Sequence, residues 1–265
     1  MHSFDYLRPA TLEEATRLFH ENADAKFLAG GQTLIPTLKQ RLAQPSALID
    51  LTRISGLAGV KATAAGISIG AATRHADVAG APEVKASLPA LARLAAHIGD
   101  PAVRHMGTLG GSIANNDPAA DYPAAVLALG ATVHTTLRSI EADDFFTGMF
   151  ETALAEGEII KAVTFPVPEK AAYAKFANPA SRYAMVGVFV ARFAAGVRVA
   201  VTGAAPCVFR ETAMEQALTR SFTPAAVSAI RVSPEGLNSD LHGTAEDRAH
   251  LVTVMARRAI EAALA

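Results

Sequence analysis

The chain has no tryptophan and one cysteine, Cys207, among 265 residues, and aromatic residues make up 6% of it. A single thiol forms no internal disulfide and cannot ligate an iron–sulfur cluster, which needs about four cysteines. The eight histidines are scattered, with no His-x3-His or Cys-x2-Cys ligand pair, so no metal centre is expected in the chain itself. There is also no charge excess. Lys+Arg 24 against Asp+Glu 25 leaves a net charge of -1, which removes dedicated nucleic-acid binders. No uninterrupted apolar run reaches the roughly 20 residues of a membrane span. The most apolar stretch, Ala184 to Ala205, is broken by Arg192 and Arg198. Met1 to Pro9 lacks the order of a secretory signal, and a soluble cytoplasmic chain is expected.

What is present is 51% hydrophobic and alanine-rich, a globular composition. Thr11, followed by Glu13 and Glu14, reads as a capped helix start. Lys26 to Ala29 reads as a strand, Leu34 to Arg41 as a helix and Ala47 to Leu51 as a second strand, together a βαβ-like unit over residues 1–55. Residues 56–168 change texture: Val60 to Ala62 and Gly66 to Gly70 form a hairpin, and Thr73 to Ala79, Pro89 to Ile98 and Tyr122 to Ala128 are helical. Ala131 to Leu137 and Ile159 to Phe165 are strands, closed by Pro166-Val167-Pro168. Residues 169–265 read as three antiparallel strands (Tyr173 to Ala177, Met185 to Phe193, Val197 to Thr202) followed by helices at Arg210 to Thr219, Pro224 to Ile230 and Ala245 to Ala263.

Two glycine segments carry chemistry. Ala29-Gly30-Gly31-Gln32-Thr33-Leu34-Ile35-Pro36 places a Gly-Gly turn after a strand and before a helix. Glycine there admits positive φ and lets a ligand approach the backbone, whose N–H groups favour an anion. Thr108-Leu109-Gly110-Gly111-Ser112 offers the same with a hydroxyl on either side. Asp117 and Asp121 follow where they could accept sugar-like hydroxyls. Neither segment is a Walker loop or a Gly-x-Gly-x-x-Gly fingerprint, and a lone Gly-Gly after a strand is ordinarily a tight turn. The pair suggests a two-pronged pyrophosphate clamp.

These two motifs, with Ile69-Gly70-Ala71-Ala72-Thr73, Asn178 to Val186 and Leu241 to Arg248, closely resemble the FAD-binding medium subunit of molybdenum hydroxylases. That is the xanthine dehydrogenase and aerobic carbon monoxide dehydrogenase family, and the resemblance covers nearly the whole chain. It departs at Asp247, where an aromatic is common. The resemblance implies an α+β fold: a two-part PCMH-type, vanillyl-alcohol-oxidase-like FAD-binding domain, then a C-terminal three-stranded antiparallel sheet with a helical bundle. It implies FAD held noncovalently, since Gln32 stands where a tether would be. Phe27, Leu28, Ala29, Gly30, Gly31, Gln32, Thr33 and Leu34 match the first pyrophosphate loop; Thr108, Leu109, Gly110, Gly111 and Ser112 match the second.

Asp121 then matches the acidic residue on FAD hydroxyls, and Ile160 an apolar wall near the adenine. Lys175 matches a cation beside the flavin, and Tyr183 an aromatic cover, in the carbon-monoxide-dehydrogenase-like manner. The implied function is electron transfer in a complex whose molybdopterin lies on a large subunit and whose two [2Fe-2S] clusters lie on a small one, in a dimer of heterotrimers. No catalytic residue is expected on this chain. Two other readings compete: a free-standing FAD-dependent oxidase, and a scaffold subunit whose FAD site has decayed. Among residues outside the motifs, His75 reads as a capping or surface histidine, and Cys207 as a small buried apolar residue.

Overall fold

The computed structural model describes residues 1–265 as a mixed α and β chain. It opens with β1 (Asp5–Leu7), α1 (Leu12–Glu21), β2 (Lys26–Leu28), α2 (Leu34–Lys39) and β3 (Ala47–Asp50). The three strands form a parallel sheet in the order β1-β3-β2. Thr11 caps α1, its hydroxyl accepting from the Glu14 amide at 3.1 Å. β1 is an addition to the sequence reading. It is three residues long and forms because β3 offers it a parallel edge, with Tyr6 donating to Asp50 across the pair.

The middle of the chain runs β4 (Val60–Thr63), β5 (Gly66–Gly70), α3 (His75–Gly80), α4 (Pro82–Ser87), α5 (Pro89–Ala96), α6 (Pro101–Met106), α7 (Leu109–Asn115) and α8 (Tyr122–Leu129). Then come β6 (Thr132–Thr135), β7 (Ser139–Glu141), α9 (Ala142–Phe145), β8 (Phe146–Gly148), β9 (Glu151–Thr152) and β10 (Ile160–Phe165). The five-stranded sheet has the order β4-β5-β10-β6-β7 and is antiparallel throughout. Prolines open α4, α5 and α6, where a missing N–H costs nothing. α4, α6 and α7 are not expected from the sequence: each is a single short helix, opened by Pro82, Pro101 and the Thr108 cap.

The last part contains β11 (Lys170–Ala177), β12 (Ala184–Phe193), β13 (Gly196–Thr202), β14 (Phe209–Arg210), α10 (Thr212–Arg220), α11 (Pro224–Val227) and α12 (Ala245–Leu264). The sheet has four strands, β11-β12-β13-β14, where three were expected. The fourth is two residues long and is fixed by pairing Ala200 and Val201 with Arg210 and Phe209, which no local pattern announces.

This sheet is covered on both faces. Val186, Val188 and Val190 of β12 and Val197, Val199 and Val201 of β13 join Met214 and Leu218 of α10 and Val252, Met255 and Ile260 of α12 in one core. The alternate residues Phe189, Ala191 and Ala200 point the other way, into the main core with α5 and α8. Period-two alternation thus serves two cores, and each valine, phenylalanine, methionine or leucine so buried contributes about 1.5–3 kcal/mol. α8 is buried at all eight residues, as a helix between two layers must be. The Asp247 departure also has a role: with Thr244 it makes a reciprocal capping box at the start of α12, with bonds of 3.2 and 3.0 Å. No helix is long and apolar enough to cross a membrane.

Candidate functional site

The site begins where β2 hands the chain to α2. Gly31 has φ +70°, which an L side chain adopts only with strain. With the turn so bent, the backbone N–H groups of residues 29 through 34 make no hydrogen bond within the chain; the first helical bond is Ile35 N–H to the Gly31 carbonyl at 3.1 Å. The Thr33 side chain does not cap α2. A row of free amides at the mouth of a helix is a receptor for water or an anion. All of these residues line a cleft of about 500 Å³, within the range of cofactor sites.

The second glycine segment faces the first across this cleft, but it is not an open loop. It is the first turn of α7. Thr108 caps the turn, its hydroxyl accepting from Gly111 N–H at 3.1 Å and its carbonyl from Ser112 N–H at 3.0 Å. Leu109 N–H donates to the Thr73 carbonyl at 3.0 Å and Gly110 N–H to the Ala71 carbonyl at 2.8 Å. Four of the five amides expected to meet a phosphate, those of Leu109, Gly110, Gly111 and Ser112, are therefore already paired. The Thr108 and Ser112 hydroxyls remain as donors on this side of the cleft.

The glycines themselves bring the two segments together. A Cβ on Gly30 would fall 2.2 Å from the Met106 carbonyl oxygen; one on Gly110 would fall 2.6 Å from the Ala71 Cβ. One on Gly111 would fall 2.9 Å from the Thr108 hydroxyl and 3.3 Å from the Ala29 Cβ. Close approach of backbone to backbone, as much as access for a ligand, requires glycine here.

Of the residues singled out in the sequence, all line the cleft except Leu109 and Lys175. Leu109 is wholly buried in the main core. Lys175 stands behind Asp121 as its counterion: Nζ is 3.0 Å from Oδ1, and it also donates to the His97 carbonyl at 2.8 Å. Tyr173, two residues earlier on the same face of β11, donates to Asp121 Oδ1 at 2.6 Å. Asp121 is 4% exposed, and burial pushes its carboxyl above the ordinary range against the pull of Lys175 and the Tyr173 hydrogen bond. Asp117 accepts from the Ala119 N–H at 2.8 Å. Tyr183 stands at the rim, 51% exposed, its hydroxyl pushed up by partial burial and by Asp117 and Asp121. Ile160 closes the far wall beside Ile159 and Glu158.

Two residues of the cleft wall, Glu158 and His75, were not among the expected site residues. Glu158 is buried yet held below the usual carboxyl range, because the Ala155 amide, the Thr135 hydroxyl and Arg138 outweigh burial. His75 is neither a cap nor a surface residue but a buried part of the cleft wall. Arg104 anchors the turn before α6, donating to the Ile98 and Gly99 carbonyls. Cys207 is half-buried, with its sulfur 3.6 Å from the Asn116 amide. No signal in the sequence separated these from ordinary scaffold.

Fold and cleft together define a chain built to hold a sizeable ligand between an amide-lined turn and a capped glycine turn. Residues 2–168 match the family of the FAD binding domain in molybdopterin dehydrogenase; the chain belongs to that family. It is 38% identical to the nicotine 6-hydroxylase medium subunit of Paenarthrobacter nicotinovorans, over 96% of this chain and 95% of the relative. It is 36% identical to the carbon monoxide dehydrogenase medium chain of Hydrogenophaga pseudoflava, over 99% and 97%. Among solved structures, carbon monoxide dehydrogenase from Hydrogenophaga pseudoflava superposes with a TM-score of 0.90 at 35% identity, covering 99% of this chain and 98% of that one. Quinoline 2-oxidoreductase from Pseudomonas putida 86 does so with a TM-score of 0.90 at 31% identity, covering 99% and 97%.

Proposed function

We propose that the chain is the FAD-bearing medium subunit of a molybdenum hydroxylase, a dehydrogenase complex whose molybdopterin and [2Fe-2S] clusters lie on a large and a small partner subunit. The observation that carries this is the row of free amides from residue 29 to residue 34, set across the cleft from the Thr108 and Ser112 hydroxyls. These donors suit the pyrophosphate of a dinucleotide, and the positive φ of Gly31 is what holds them open. Asp121 keeps acceptor capacity beyond its bonds to Tyr173 and Lys175, which suits a cofactor hydroxyl. When bound, FAD supplies one-electron acceptance from clusters and two-electron delivery to an external acceptor. The protein orients it between the glycine turns, with Tyr183 as a cover at the rim.

The relatives are named as a nicotine 6-hydroxylase medium subunit and a carbon monoxide dehydrogenase medium chain, and the second supports the carbon-monoxide-dehydrogenase-like branch. We extend this to a two-part vanillyl-alcohol-oxidase-like FAD domain divided near residue 55, a C-terminal domain from residue 169, and a cytoplasmic dimer of heterotrimers. The test is purification of the chain with and without its partners. The expected result is a yellow chain that releases intact FAD on denaturation and turns over no organic substrate alone, but completes dye-linked activity when the two other subunits are added. Substrate turnover by the single chain would replace this reading with a free-standing oxidase.

A further inference from the structure

His75 opens α3 in the wall of the cleft. It is 4% exposed, and its backbone N–H donates to the Gly107 carbonyl at 2.9 Å. Its ring is tilted against that of Tyr122, centroids 5.3 Å apart. Nδ1 is sealed from solvent without a hydrogen-bond partner, and so is the Tyr122 hydroxyl. The other ring nitrogen faces Gly107, where a Cβ would fall 2.5 Å from Nε2. Both residues line the cleft. The missing side chain at Gly107 therefore leaves Nε2 uncovered on the cleft wall.

With no acceptor for a proton on the sealed Nδ1, the neutral ring carries its N–H on Nε2, since an unpaired buried N–H is the costlier arrangement. Burial, and secondarily Arg104, lower its pKa to about 4, so at neutral pH the ring carries one N–H and one lone pair. It sits beside the turn whose own amides are spent on Thr73, Ala71 and Thr108.

We propose that His75 is a cofactor-binding residue, its neutral imidazole donating from Nε2 to an oxygen of the bound FAD on the wall formed by Gly107 and Thr108. It supplies on that side the donor that the second glycine turn withholds. The proposal rests on the flavoprotein reading above. It also gives Gly107 a purpose: a side chain there would displace the ring.

Equilibrium FAD binding to the full-length, flavin-stripped chain tests it, with circular dichroism as the check on folding. Loss of one hydrogen bond of ordinary strength weakens binding about tenfold. His75→Phe and His75→Asn are therefore expected to raise the dissociation constant about tenfold, and Gly107→Ala likewise by displacing the ring. His75→Gln, whose amide reaches the Nε2 position, is expected to stay within about threefold. If His75→Phe does not fold, the contrast between Asn and Gln carries the decision. Wild-type affinity in both Phe and Asn variants, or equal weakening in Asn and Gln, overturns the proposal while leaving the flavoprotein reading intact. Failure of the wild-type chain to bind FAD overturns both.

Discussion

Lys175 Nζ lies 3.0 Å from Asp121 Oδ1, and the pair joins β11 of the C-terminal sheet to the head of α8 beneath the cleft. Removing one partner of a buried pair leaves an uncompensated charge and costs about 3–5 kcal/mol. Lys175→Met is therefore expected to destabilise the chain by that order in urea denaturation, and to push the Asp121 carboxyl further up. The double variant Lys175→Met/Asp121→Asn should recover much of the loss. A single variant as stable as wild type would show that the pair is not the joint described here.

The glycines of the first turn should separate by mechanism. Gly30→Ala drives a Cβ into the Met106 carbonyl, an overpacked contact between backbones that costs about 3 kcal/mol or more. Gly31→Ala meets Ile35 Cγ1 at 3.0 Å and keeps a positive φ, a strain of about 1–2 kcal/mol. Denaturation midpoints should rank wild type, Gly31→Ala, Gly30→Ala in falling order. The reverse order of the two variants would contradict the packing described.

The neutral buried His75 also makes stability depend on pH. Its folded pKa of about 4 lies below the ordinary 6.5. As pH falls the unfolded chain takes up the proton first, so stability is lost between about pH 6.5 and pH 4, by up to about 3 kcal/mol from this group. Above pH 6.5 both states are neutral and the contribution vanishes. Unfolding free energies of wild type and His75→Gln should therefore diverge on acidification, the variant falling less steeply. Parallel curves would show that burial does not hold the ring neutral.

Thr244→Ala removes half of the capping box that opens α12. The expected cost is about 1 kcal/mol, read as a lower thermal midpoint with an unchanged FAD dissociation constant, since this helix packs on the face of the sheet away from the cleft. A changed affinity would mean that the C-terminal layer reaches the site.

The first glycine turn was legible because its signal is local: apolar strand, Gly-Gly, then helix, all within a dozen residues. The second was legible as a site but not as a structure. Thr108 caps a short helix whose amides bond to Ala71 and Thr73, residues more than thirty positions earlier, and no spacing rule reveals that. The same limit hid β1 and β14, which exist through the strands they pair with, and α4 and α6, six residues each and too short to show a helical period. Lys175 was recognised as a cation of the site, but its distance behind Asp121 is a property of β11 packing on α8. His75, expected as a capping or surface residue, was the largest misreading. Its burial depends on Tyr122 and its exposure to the cleft on Gly107, and only the fold brings those three together.

Whether the cleft takes FAD is the decisive question. Titrating the flavin-stripped, full-length chain with FAD, followed by flavin absorption and fluorescence, measures that alone. The expected result is saturable binding of one FAD per chain, reversible on denaturation and weakened in Gly31→Ala. A chain that shows no saturable binding, or that binds FAD equally well after the turn at Gly31 is altered, would contradict it.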